Sequence, residues 1–179
     1  MRQVFIIIFC YLTVFNAGSQ TFNIVVNQNI PDDNTIVAFD LPVTGLPLII
    51  DQNFGLESVC LSMTHTYCAD MELKLRAPDG TETLLFSSVG GGNDDFMNTC
   101  LAGTGPAIAG GNAPFTGSFQ SMSVLGNVNN GQNPNGIWQL LCRDMAAVDI
   151  GFLMNWQITF GNTPAQPFIF LSSDIPIVK

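Results

Sequence analysis

From residue 20 onward, apolar positions fall in short alternating runs, and stripes at helical spacing are hard to find. In "ESVCLSMTH", Val59, Leu61, Met63 and His65 share one face while Ser58, Cys60, Ser62 and Thr64 share the other. A two-residue period of that kind predicts a half-buried strand. "MELKLRA" repeats it, with Met71, Leu73 and Leu75 set against Glu72, Lys74 and Arg76. "YCAD" joins these two runs, and "APDGTE" after them carries the turn residues Pro78, Asp79 and Gly80. "TLLFSS" predicts another strand, "VGGGNDDFMNTC" a loop, and residues 101–135 a long irregular tract. "IWQLLCRD" and "FLMNWQITF" complete the set, the first alternating Trp138, Leu140 and Cys142, the second placing Leu153, Trp156 and Ile158 as its apolar positions. The opening "TFNIVVNQNIPDDNTIVAFDLPV" gives a first strand and then a loop at residues 31–34. Seven or eight short strands with turn signals roughly every ten residues predict an all-β antiparallel sandwich. Its long loops point to Greek-key or jelly-roll connections.

A chain of 179 residues suits one domain with some terminal excess. Residues 1–19 have the anatomy of a signal peptide: Arg2, an apolar run over 4–15, and small residues at Ala17, Gly18 and Ser19 before the expected cleavage. The run is too short for a spanning helix. Loss of this leader removes Cys10 and leaves Cys60, Cys68, Cys100 and Cys142. An even count in an exported chain predicts two disulfides, and all three connectivities stay open. Without a CxxC pair, a structural zinc site is a poor competitor. The sandwich is expected over 20–162. After it, Pro164 and Pro167 mark residues 163–179 as a linker, the start of a following domain, or a last strand that folds back.

Fourteen acidic residues against five basic ones disfavour nucleic-acid partners, because such a surface repels phosphate. No membrane association is expected once the leader is gone. The same acidity turns attention to local clusters. Asp70 closes the "HTYCAD" turn, Asp94 and Asp95 lie in the glycine-rich loop, and Asp144 and Asp149 bracket the loop between the two tryptophan strands. Loops converge at the ends of a sandwich, so these five carboxylates are candidate ligands for calcium, a hard cation that takes six to eight oxygens. The competing account is Asx-turn capping, in which each carboxylate bonds its own loop. "VGGGNDD" lacks the Lys and Ser/Thr of a phosphate-binding loop.

His65 is the single histidine. A serine-protease triad needs a base histidine touching both an acid and an activated serine, and neither a subtilase "GTS" nor a "GxSxG" nucleophile motif occurs here. Its phase with Val59, Leu61 and Met63 assigns it inward, as a strut at a strand end. Tyr67, in the same turn, is given a structural role beside it. Trp138 and Trp156 are expected in the core. Phe96, Phe115 and Phe119 are expected to pin loops to the sandwich.

Six stretches stand in a revealing order: "IPDD", "THTYCADMELKLRAPDGT", "GGGNDDFMNT", "APFTGSF", "NGIWQLLCRD" and "DIGFLMNWQITF". Together, over residues 30–161, they resemble the P domain, or Homo B domain, that follows the catalytic domain of kexin- and furin-like subtilisin-type proprotein convertases and also occurs in bacterial secreted proteins. The resemblance implies an eight-stranded jelly roll, similar to galactose-binding domains, and a non-catalytic extracellular role. Such a domain folds against an adjacent protease domain and stabilises it. Because the leader runs straight into the module, the alternative is an interaction or adhesion module opening a larger exported protein. Ala69 stands where the family usually has glycine, which implies a turn that needs no positive φ. The four cysteines look like local additions.

Overall fold

The computed structural model describes residues 18–167, so most of the expected leader and the terminal segment 168–179 lie outside the described residues. Among the described residues, nine strands follow one another: β1 (Gln20–Ile30), β2 (Ile36–Val43), β3 (Gly55–His65), β4 (Met71–Arg76), β5 (Glu82–Ser87), β6 (Phe96–Ala107), β7 (Phe115–Gln120), β8 (Gly136–Asp144) and β9 (Gly151–Gly161). They form a five-stranded sheet ordered β1-β9-β3-β6-β7 and a four-stranded sheet ordered β2-β8-β4-β5. With β7 set aside, the first strand pairs the last and the second pairs the last but one, the nested order of an eight-stranded jelly roll. Strand β7 is the addition, and it runs parallel to β6 at the sheet edge.

Alternation is what builds the layers. Met71, Leu73 and Leu75 of β4 are buried while Glu72, Lys74 and Arg76 are half-exposed. Val59, Leu61, Met63 and His65 of β3 all face inward. Trp138 and Trp156 are fully buried, and Trp138 meets Phe160 of the other sheet edge-on, ring centroids 5.3 Å apart. Each large side chain removed from water in this way contributes about 1.5–3 kcal/mol.

Strand β6 occupies sequence expected to be loop, and the reason is local. Asn98 has a φ of 52°, and the pairing of β6 with both neighbours shifts register between Phe96 and Thr99. A bulge inserts a residue, so the inward positions are Phe96, Thr99 and Leu101 and the two-residue period is hidden. The bulge also corrects the reading of the phenylalanines. Phe96 and Phe115 belong to strands, and with Phe86 of β5 they form a stack with centroids 4.6 and 5.0 Å apart, reaching from one sheet to the added strand of the other. Phe119 packs edge-on against Phe115.

The expectation of two disulfides is also corrected. Cys60 and Cys100 are register partners on the outer face of β3 and β6, and they are joined. Cys68 and Cys142 are free and buried. Cys68 sits in the short 3-10 turn before β4, whereas Cys142 lies inside the second sheet between Val37 and Leu73, so the fold does not offer the two thiols to each other as it does Cys60 and Cys100. Ala69 lies in that same turn without a positive φ, as its identity implied.

Candidate functional site

Four connections meet at one end of the sandwich: residues 31–35 between β1 and β2, 66–70 between β3 and β4, 88–95 between β5 and β6, and 145–150 between β8 and β9. His65 stands at their centre, at the last position of β3. Directly across the ladder is Gly151, where a Cβ would come within 2.7 Å of the His65 Cδ2. Glycine there leaves the imidazole room to lie against the β9 backbone.

Both ring nitrogens of His65 are engaged. Nδ1 accepts the backbone N–H of Tyr67 at 3.1 Å, which leaves the proton on Nε2, and Nε2 lies 3.0 Å from Oδ2 of Asp144. The side chains of both residues are fully buried. The main chain of His65 is held as well. Its N–H donates to Oδ1 of Asp95 at 3.1 Å, and its carbonyl accepts the N–H of Asp95 at 3.3 Å. An imidazole bound at both nitrogens and cut off from solvent has no lone pair with which to take a substrate's proton. The arrangement ties β3, β8 and the β5–β6 loop together.

The five candidate carboxylates are divided by the His65–Tyr67 turn. On one side, burial raises the Asp70 carboxyl above its ordinary value, and repulsion from Asp144, Asp149 and Asp32 adds to this while His65 opposes it. Asp149 accepts the hydroxyl of Thr66 at 2.8 Å. On the other side, Asp94 and Asp95 lie beside Cys68, whose thiol is pushed up to about 12 by burial first and then by these two charges. Among the described residues, no three His, Cys, Asp or Glu side chains stand close enough to hold a metal ion as placed. Sequence reasoning missed Asp32. Its Oδ2 accepts the N–H of Val148 at 2.8 Å, and its Oδ1 is buried with no partner. The "IPDD" stretch was the available signal for it.

Tyr67 is 41% exposed, and its ring covers Gly92, where a Cβ would meet its Cε2 at 2.9 Å. A cleft of about 280 Å³ at the same end is lined by Asn29, Thr66, Asp95, Ile150 and Phe152.

The model of the "Proprotein convertase P-domain" family matches residues 57–160, more than half of the chain and most of the two sheets. The chain belongs to that family. This P domain is 27% identical over 141 residues to "Leupeptin-inactivating enzyme 1" of Streptomyces exfoliatus, covering 79% of this chain and 26% of the relative. Among solved structures, the serine protease of Aeromonas sobria in complex with a chaperone aligns with a TM-score of 0.50 at 17% identity, covering 82% of this chain and 27% of that one. At that identity the likeness shows the fold alone. The chain thus spans about a quarter of the length of these two proteins.

Proposed function

We propose that this P domain is a non-catalytic helper that folds against a subtilisin-like serine protease domain outside the cell and stabilises it. The observation that carries the reading is the sealed His65–Asp144 pair. The one imidazole of a domain from a protease-associated family is bound at both nitrogens and away from solvent. The Cys60–Cys100 disulfide supports an oxidising, exported setting. The test is to fuse the chain behind a subtilisin-like catalytic domain that loses its folded yield when its own P domain is deleted. Recovery of yield and of a higher melting temperature is expected; a catalytic domain no more stable than the deletion would sink the reading.

Calcium is proposed at a narrower set than the sequence offered: Asp32, Asp70, Asp144 and Asp149, without Asp94 and Asp95. The unpartnered Asp32 Oδ1 and the mutual repulsion felt at Asp70 support it, since a hard cation relieves both. These side chains would have to draw together around the ion.

A further inference from the structure

The loop end that surrounds His65 is also where the molecule exposes apolar side chains without folding benefit. Val148 is 88% exposed and Ile150 69% exposed, and Tyr67 in the neighbouring 66–70 connection is partly open as well. Val148 has a φ of 97°, a conformation that costs a β-branched residue strain, and the Asp32 carboxylate holds it there by accepting its N–H. Ile150 is fixed just as firmly: its N–H donates to the Thr66 hydroxyl at 3.2 Å and its carbonyl accepts the Thr66 N–H at 3.4 Å. The two aliphatic side chains are therefore presented on a tied loop, next to the cleft lined by Ile150, Thr66 and Asp95.

The charge around this patch is mostly negative. Asp33 and Asp94 are exposed and Asp32, Asp70, Asp95 and Asp149 half-buried, all within the four converging loops. Among the described residues, Lys74 lies by Glu72 and Arg76 against Glu82 at 2.7 Å on the outer face of the four-stranded sheet, and only Arg143 reaches this end, its Nε donating to Asn34 Oδ1 at 2.8 Å while its Nη1 stays by Glu72. No ion pair among the described residues neutralises those six carboxylates.

We propose that this end is a docking face for a polypeptide segment that carries lysine or arginine next to aliphatic or aromatic side chains. The apolar residues cover Val148, Ile150 and Tyr67, and the cationic head enters the cleft towards Asp95, the neighbour in sequence of the exposed Asp94. Exposed aliphatic residues rimmed by one sign of charge mark a surface for a partner of the opposite sign, with apolar contact supplying affinity and charge supplying orientation and encounter rate. The helper reading bears only on who presents the segment; the surface itself does not depend on it.

The test is a titration of the whole isotope-labelled chain, in the presence of a chelator, with a synthetic hexapeptide of alternating lysine or arginine and leucine or phenylalanine, read by backbone amide shifts. Saturable shifts confined to 66–70, 91–95 and 145–152 are expected. The counterpart with glutamate in place of the basic residues should produce none. Replacing both aliphatics (Val148→Ser with Ile150→Ser) should weaken binding about tenfold without lowering the melting temperature, and Asp94→Asn should flatten its salt dependence. Shifts scattered over both sheets, an equal response to the glutamate peptide, or an undiminished affinity of the serine variant would overturn the proposal. A failed fusion with a catalytic domain would leave a positive titration standing, so the two readings fail separately.

Discussion

At the scale of single residues, the His65–Asp144 pair makes the strongest energetic statement, because both side chains lie out of water. Removing one member leaves the other's polar atoms unmatched. His65→Ala is expected to cost about 3–5 kcal/mol in urea denaturation, the range for stripping one partner from a buried pair. Asp144→Asn keeps an oxygen for the Nε2 proton and is expected to cost closer to about 1 kcal/mol. Equal losses from the two substitutions would show that the hydrogen bonds described here are not what holds the turn. Asp70 makes the opposite contribution. Its folded-state carboxyl is raised, chiefly by burial and then by Asp144 and Asp149, so the ionised form is disfavoured in the fold. That penalty is fully present at neutral pH and disappears as pH falls through the raised value. In chelator, Asp70→Asn should therefore raise the melting temperature at pH 7, and the gain should shrink to nothing below the ordinary aspartate range.

Among elements, the β3–β6 pair is both the most constrained and the least legible. The Cys60–Cys100 bridge closes a loop with a sequence separation of 40. On chain-entropy grounds its removal by Cys60→Ser with Cys100→Ser costs about 4 kcal/mol. The two thiols of the described residues should be inert in the native protein, with Cys68 raised to about 12 and Cys142 raised by complete burial. Peptide mass spectrometry after maleimide treatment is expected to show no adduct on Cys68 or Cys142 of the folded chain and an adduct on each once it is denatured, where labelling of Cys68 in the native form would contradict its burial. Strands β3, β4 and β8 were readable because Val59, Leu61, Met63 and His65, then Met71, Leu73 and Leu75, then Trp138, Leu140 and Cys142 are buried at a strict two-residue period, which the shifts of pairing in β3 and β4 do not disturb. Strand β6 was not, because its bulge at Asn98 breaks the period and because Thr99, a polar residue, occupies an inward position where its hydroxyl donates to the Phe115 carbonyl at 2.8 Å. The asparagine-rich tract before β8 hid its purpose for a related reason. The Asn129 amide bonds the main chain of Leu56 and Ala165, and the Asn135 amide bonds both backbone groups of Leu46, so these side chains act as substitute backbone for partners far away in sequence.

For the molecule as a whole, two measurements address activity and cation binding directly. Incubation of the purified chain with casein is expected to leave it intact, whereas cleavage abolished by His65→Ala would reverse the non-catalytic reading. Adding calcium should raise the melting midpoint and chelator should return it, since a ligand bound by the folded state alone must stabilise that state. Loss of the increment in Asp70→Asn would tie it to the narrower carboxylate set, and a midpoint indifferent to calcium would remove that proposal. The sequence by itself determined the class of architecture, the inward phase of His65 and the P-domain family, because alternation and short ordered motifs are local properties of the chain. Which cysteines pair, which carboxylates share a loop end, and that Val148 and Ile150 stand exposed beside them were decided by tertiary structure alone. Those facts depend on which strand ends the jelly-roll topology brings together, and no local run of residues carries that information.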